Sequence, residues 1–264
     1  MRTISHLLLL TTLLCICIYS CKKQFADSSI SQSLKDKVAS HCFSTENIQQ
    51  TADGFIVEND ILLTENFLDE NPPVQNLLIG NTEQFQTNYL VTGLPRTISI
   101  QLSPQFSSAY SFALDEAIRR FNSENLLLHF ERKNSGGEIN IIKGSGNYLA
   151  VSGFPSANGQ PCNMIRLNSM FIGNNNGQAF INYVATIITH EIGHCIGFRH
   201  TDYLNRSFSC GGKAIKESCG SAGAVLIPGT NSSPDNGSWM LTCIISGENR
   251  LFTDNDKIAL HYLY

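Results

Sequence analysis

Apolar and polar positions change rhythm several times along this chain. An apolar run at 7–18 follows Arg2 and is too short to span a membrane comfortably; its length and flanking charge are those of an export signal. A helical spacing covers 30–38, and GFIVENDILL at 54–63 is strand-like. Over 97–102 apolar and polar residues alternate as in a half-buried strand. Leu114, Ala117, Ile118 and Phe121 then recur on one helical face behind the start signal Ser103-Pro104, which predicts a helix over 105–123 packed across a sheet. Strands are predicted at 126–131 and 139–143, punctuated by Gly136-Gly137 and Gly144-Ser145-Gly146. Residues 147–162 are rich in Gly, Pro, Ser and Asn, and a strand signal resumes at 164–168. After the turn at 174–177, Phe180, Ile181, Val184, Ile187 and Ile188 form the apolar face of a second long helix. Loop composition returns after His200 and persists through 229–234. Thr253 and Asp256 form a capping box that opens a final helix, in which Ile258, Leu260 and Tyr262 can pack.

The second helix runs directly into HEIGHCIGFRH at 190–200. His190 and His194 are one turn apart, so both imidazoles project from one face and can share an ion. Gly197 can take the left-handed conformation that ends a helix, turning the chain so that His200 approaches from another direction. Three neutral imidazoles bind zinc and leave a fourth position open to water, which the ion acidifies toward neutral pH. Glu191 follows the first ligand but is rotated off its face, which suits a base and not a fourth ligand. A buried helix with incidental histidines is the alternative. Five fixed positions coincide by chance in a chain this long only on the order of once in a hundred thousand, which favours zinc. Binding should weaken below about pH 6 as imidazoles protonate.

HExxHxxGxxH resembles the metzincin clan of zinc endopeptidases, and the wording HEIGHC is similar to the bacterial HEIGH metallopeptidases, peptidase family M57. The resemblance covers roughly 95–264 and implies an α+β zincin fold. Its expected parts are a twisted, mostly parallel sheet with an antiparallel edge strand, a long active-site helix, and a small C-terminal subdomain with a Met-turn and a final helix. It implies that the edge strand, near 147–168, receives an extended substrate by backbone pairing. Ser238-Trp239-Met240 resembles the Met-turn, with Met240 as a platform beneath the metal. Thr242 stands where astacins carry a tyrosine that helps stabilise the oxyanion. Residues 55–61 are similar to the aspartate-switch region of astacin prosegments, although Asn59 replaces the glycine; on that likeness Asp60 takes the open metal position and keeps the enzyme latent. A solvated carboxylate at a strand bend is the alternative for Asp60, and a cysteine switch at Cys42 is another route to latency.

With 264 residues, 42% hydrophobic and 15% charged, the chain can bury a full core. A net charge of −4 and the absence of basic runs set nucleic acid aside. Ile18-Tyr19-Ser20-Cys21 resembles a bacterial lipobox, which would make Cys21 a lipidated first residue; ordinary secretion is the alternative. Beyond the signal, Cys42, Cys162, Cys195, Cys210, Cys219 and Cys243 suggest disulfides in an exported protein. Six cysteines allow fifteen pairings. Cys210 with Cys219 would close a Gly-rich loop, Cys195 with Cys243 would flank the metal site, and Cys42 with Cys162 remains. His41, His129 and His261 lack partners at ligand spacing.

The expected organisation is a lipoprotein-type signal at 1–20, a lipid-anchored prosegment-like region at 21–94 and a zinc metallopeptidase domain at 95–264. Its expected function is a monomeric zinc endopeptidase of the bacterial cell envelope, holding one catalytic zinc ion. It would act on protein or peptide substrates and meet the membrane only through its anchor. A non-catalytic zinc-containing binding protein and a zinc hydrolase of non-peptide amides are the competing classes, and Glu191 speaks against the first.

Overall fold

The computed structural model describes residues 30–70, 84–213, 224–231 and 233–264. The signal, the lipobox with Cys21, the Asn71-Pro72-Pro73 break and Cys219 lie outside the described residues. In chain order the elements are α1 (Gln32–Ser40), β1 (Gln49–Thr51), β2 (Gly54–Val57), β3 (Ile61–Leu63), α2 (Glu65–Asp69), β4 (Phe85–Gln86), β5 (Arg96–Leu102), α3 (Ser108–Asn122), β6 (Leu128–Lys133), β7 (Ile139–Lys143), β8 (Ala150–Ser152), β9 (Met164–Leu167), α4 (Ser169–Ile172), α5 (Gln178–Ile196), α6 (Ser207–Cys210), β10 (Val225–Leu226) and α7 (Asp254–Leu263). Among the described residues no helix is long and apolar enough to cross a membrane.

The main sheet has the order β1-β2-β3-β8-β9-β7-β5-β6. β6, β5, β7 and β9 run parallel to their neighbours, and β8 turns back antiparallel to β9. The mostly parallel α+β architecture expected from the motif is therefore present. One expectation needs correction: β8 is the antiparallel strand, but it is not an edge, because β3 pairs with it in parallel and Ser152 N–H donates to the Asp60 carbonyl at 3.0 Å. The run at 54–63 is also not one strand. Glu58 and Asn59 take positive φ angles of 53° and 80°, which fold it into the β2–β3 hairpin. Asn and other short polar residues tolerate this region better than β-branched ones.

The two long helices cross one face of the sheet. α3 starts at 108 and not at 105, because Ser103-Pro104 makes a turn closed by Phe106 N–H on the Ser103 carbonyl. Its apolar face meets α5, which is buried along nearly all of its length after Ile181. Phe121 sits at the centre, with ring centroids 4.8 Å from Phe130, 5.4 Å from Trp239 and 5.2 Å from Phe252. Arg120, buried beside it, donates to the Thr186 hydroxyl, the Arg250 carbonyl and the Asn249 side chain, tying α3 to α5 and to the C-terminal loop. A buried guanidinium is tolerable only when its donors are used in this way.

Phe121 joins α3 to Phe130 of β6 and to Trp239 and Phe252 of the C-terminal segment, so Phe121→Ala should cost about 3–5 kcal/mol of unfolding free energy. Urea denaturation would show it as a lowered midpoint at unchanged slope; a midpoint within error of the parent would contradict this packing.

Candidate metal centre

α5 delivers the first two ligands. His190 and His194 are buried, and their ring centroids lie 4.7 Å apart. Gly197 then ends the helix at φ 114°, ψ 7°, and its N–H donates to the Gly193 carbonyl. A Cβ at Gly197 would stand 2.6 Å from Leu90 Cδ2, so both the left-handed conformation and the space require glycine. The turn brings His200 to 5.4 Å from His190 and 4.9 Å from His194, centroid to centroid.

Two of these rings are oriented by carbonyls. His190 Nδ1 lies 2.8 Å from the Trp239 carbonyl and His194 Nδ1 2.8 Å from the Phe198 carbonyl. A carbonyl only accepts, so each Nδ1 carries the proton and each Nε2 presents its lone pair to the centre. Burial first, then the neighbouring His190 and His200, hold the His194 pKa well below the ordinary histidine value, which keeps that ring neutral.

Asp60 comes to the same point from the tip of the β2–β3 hairpin. Its Oδ2 lies 3.2 Å from His200 Nε2 and 3.3 Å from His190 Nε2, and the four ligand atoms are within 4.8 Å of one another. Asp60 is thus a buried group at the metal site and not a solvated carboxylate at a bend. Burial alone would raise its pKa, but the surrounding histidines, His200 first, hold it far below the usual carboxylate range. The hairpin tip is pinned next door. Glu58, buried, accepts from Arg199 Nη2 at 2.7 Å and from Ser44 N–H at 2.9 Å. The Arg199 guanidinium lies 4.3 Å from the Phe43 ring and 4.7 Å from that of Tyr203.

The residues fit one metal ion. His190 Nε2, His194 Nε2 and Asp60 Oδ1 are buried without a hydrogen-bond partner. Lone pairs facing a carboxylate repel one another, and a cation between them removes that cost. Imidazole nitrogens with one carboxylate oxygen, and only four donors, suit zinc.

Glu191 does not reach the ligand cluster; it lies on the wall of an adjoining cavity of about 310 Å³, which His190, Asp60, Tyr148, Leu149 and Ile187 also line. Ser152, on β8, donates to Glu191 Oε2 at 2.6 Å. Burial and then the Asp60 charge push the Glu191 pKa well up, and the Ser152 hydrogen bond pulls the other way. Sequence reasoning missed Ser152, because nothing in a three-residue strand within a loop-like stretch announces a partner 39 positions away. It also missed the second glycine of the motif. A Cβ at Gly193 would stand 2.5 Å from Met240 Sδ and 2.6 Å from the Trp239 ring, so Gly193 lets the segment carrying Met240 pack directly under the helix. Met240 is fully buried there. Thr242 cannot stand in for a tyrosine hydroxyl, since its Oγ1 donates to Asp202 Oδ1 at 2.8 Å.

The cysteine pairing differs from expectation. Cys210 is bonded to Cys243 and not to Cys219, and Cys195 keeps its thiol. Asp202 supplies the reason: it accepts from Ser209 Oγ and from Thr242, and Cys243 N–H donates to Ser209 Oγ, which aligns residues 209–210 with 242–243. Cys195 is fully buried on α5. Cys42 is itself in a disulfide and Cys162 is a free thiol, so the Cys42–Cys162 pair is not formed and Cys42 offers no thiol for a switch.

A family model described as a dual-action HEIGH metallo-peptidase matches residues 55–264. Solved structures similar to this one include high choriolytic enzyme 1, a hatching-enzyme zinc-protease of the medaka fish Oryzias latipes, at 24% identity over 39% of this chain and 44% of that one, with a TM-score of 0.27. Two structures of myroilysin are also similar. One shows 14% identity over 44% of this chain and 54% of that one, with a TM-score of 0.32. The other shows 13% identity over 64% and 83%, with a TM-score of 0.39. The chain thus spans about half the length of the first two matched structures. No curated protein matches the chain at a significant level.

Replacing His194 by alanine should abolish stoichiometric zinc in the protein after dialysis against a weak chelator, with far-ultraviolet circular dichroism retained. Metal analysis by atomic emission checks it; a variant that still held one equivalent would exclude His194 as a ligand.

Proposed function

Because the chain belongs to the HEIGH metallopeptidase family, we propose that it is a zinc endopeptidase with Glu191 as general base, held latent by Asp60 and exported as a lipoprotein anchored through Cys21. One observation carries the reading. Three histidines converge on a buried point, and the Glu191 carboxyl lies on the wall of a cavity that opens beside it. A structural metal site has no use for that carboxyl or that space.

Zinc, when held there, supplies Lewis acidity to a substrate carbonyl and to water. The chain's own residues do the rest. Glu191 takes a proton from the attacking water and returns it to the amine nitrogen that leaves. Ser152 holds Glu191 Oε2 and so sets the direction of the carboxylate. The apolar walls provided by Leu149, Ile187, Leu241 and Ile244 suit an apolar substrate side chain in the cavity. An extended peptide would pair with β8 along the side that β3 now holds.

That occupied strand supports latency as much as Asp60 does. The hairpin places a carboxylate among the ligand atoms and a strand along β8, so both the metal and the substrate's backbone partners are taken by residues 54–63. Glu58 on Arg199 anchors the tip. Cleavage beyond the hairpin would allow it to leave. Attachment at Cys21 would tether the enzyme to the bacterial envelope as a monomer acting on protein or peptide substrates, without nucleic acid; release as a secreted protein is the alternative outcome for localisation.

Hydrolysis of a mixed peptide library, followed by mass spectrometry before and after limited proteolysis, tests the activity. Glu191→Ala should lower turnover by about 100- to 10,000-fold, and a chelator should stop the parent enzyme. Zinc binding without cleavage of any peptide would move a binding protein or a non-peptide amidase ahead. Asp60→Ala should raise the activity of the uncleaved chain by at least about tenfold, as expected when a self-inhibited population is released; unchanged latency in that variant would reject the switch.

A further inference from the structure

Two thiols remain beside the metal helix that the proposed chemistry does not use. Cys195 directly follows His194 on α5, and Cys162 lies in the connection between β8 and β9. Among the described residues they alone keep free thiols; Cys42, Cys210 and Cys243 are all disulfide-bonded. They are also neighbours. Cys162 N–H donates to the Cys195 carbonyl at 3.0 Å. A backbone hydrogen bond between the two residues themselves brings their Cα atoms to separations of the kind a disulfide spans, about 4.4–6.8 Å.

We propose that Cys162 and Cys195 are a redox-active dithiol, which a disulfide-bearing oxidant converts into a further disulfide that ties the β8–β9 connection to the metal helix. The environments of the two sulfurs differ in a way that orders the steps. Cys162 is partly exposed, and its Sγ receives the Gly153 N–H at 3.3 Å. The neighbouring Cys195, then backbone donors, draw its thiol down to about 7 against the effect of burial. Cys195 is fully buried. A cysteine on a partly exposed residue beside a fully buried one is the arrangement of an attacking and a resolving cysteine, whereas inert core cysteines are both sealed.

The exchange balances without any other reactant. The Cys162 thiolate attacks one sulfur of the oxidant RS–SR, forming a mixed disulfide and expelling RS⁻. Cys195 gives up its proton, its sulfur attacks the Cys162 sulfur, and the second RS⁻ leaves. Two protein thiols are oxidised by two electrons, and the oxidant departs as two RSH that carry the two protein protons. The new bond would join the helix one residue past His194 to the connection that carries Phe154. Phe154 already packs edge-on to the His194 ring with centroids 5.5 Å apart, so the cross-link would brace the second ligand from two sides.

The test uses the full chain and no activity assay. Glutathione disulfide is added at neutral pH, the remaining thiols are alkylated under denaturing conditions, and peptides are mapped with and without prior treatment by a mild dithiol reductant. The expected result is one linked peptide containing Cys162 and Cys195, lighter by two hydrogens than the reduced pair and absent after reduction. Cys195→Ser should accumulate a glutathione adduct on Cys162, and Cys162→Ser should leave Cys195 as a thiol. Full alkylation of both cysteines in the oxidised parent, or a mixed disulfide that stops at Cys162 there, would overturn the proposal. Adducts appearing on Cys195 but not on Cys162 would overturn the assigned order. Should either variant fail to fold, the mapping of the parent protein decides.

Discussion

The hydrogen bond between His190 Nδ1 and the Trp239 carbonyl is the joint on which the rest of the centre depends. It fixes which nitrogen faces the metal, and it can form only if the turn carrying Trp239 and Met240 lies flat against α5. Gly193 makes that approach sterically allowed, since any side chain there would strike both residues. Asp256 holds the turn from the other side. Its carboxylate accepts from Ser238 Oγ at 2.7 Å, from Trp239 N–H at 3.3 Å and from Gln84 Nε2 at 2.8 Å, while also closing the capping box of α7. Burial raises the pKa of Asp256, and these hydrogen bonds oppose that by favouring its ionised form. One buried carboxylate therefore couples the last helix, the turn and the orientation of a metal ligand.

A second coupling runs from the motif to the N-terminal segment. Arg199 precedes the third histidine and is fully buried, with Glu58 as a charged partner and the rings of Phe43 and Tyr203 on either side. Breaking such a pair by removing one member leaves a buried charge uncompensated, which typically costs about 3–5 kcal/mol. The hairpin that carries Asp60 is therefore held by contacts of its own, separate from any attraction between Asp60 and the metal. Since β3 also continues the catalytic sheet, the segment behaves as an integral layer of this conformation and not as a loose tail.

The metal motif, the two long helices, β7 and the α7 capping box could be read from the chain because each depends on neighbours a few positions apart. His190, Glu191, His194 and Gly197 are placed by the geometry of one helix and its end, and the structure has all four where helical spacing puts them. Asp60 was only half legible. A residue-by-residue likeness pointed to it, but the depth of its burial depends on Glu58 meeting Arg199 across 141 positions. Ser152 gave no signal at all, because its role is a contact between a short strand and a distant helix.

What the sequence by itself determined, then, is the local chemistry: a helix that presents two imidazoles on one face, a glycine that ends it, a third histidine after the turn, and a carboxylate set beside them. What only the tertiary structure decided is which distant groups complete that chemistry. The Trp239 and Phe198 carbonyls set the tautomers, Ser152 aims Glu191, the β2–β3 hairpin fills the space between the histidines, and Asp202 brings Cys210 to Cys243. The physical reason is range. Helical periodicity and turn preferences act over a few residues and leave a trace in the order of side chains, whereas burial and hydrogen bonding between remote segments exist only after the sheet and its helices have closed around them.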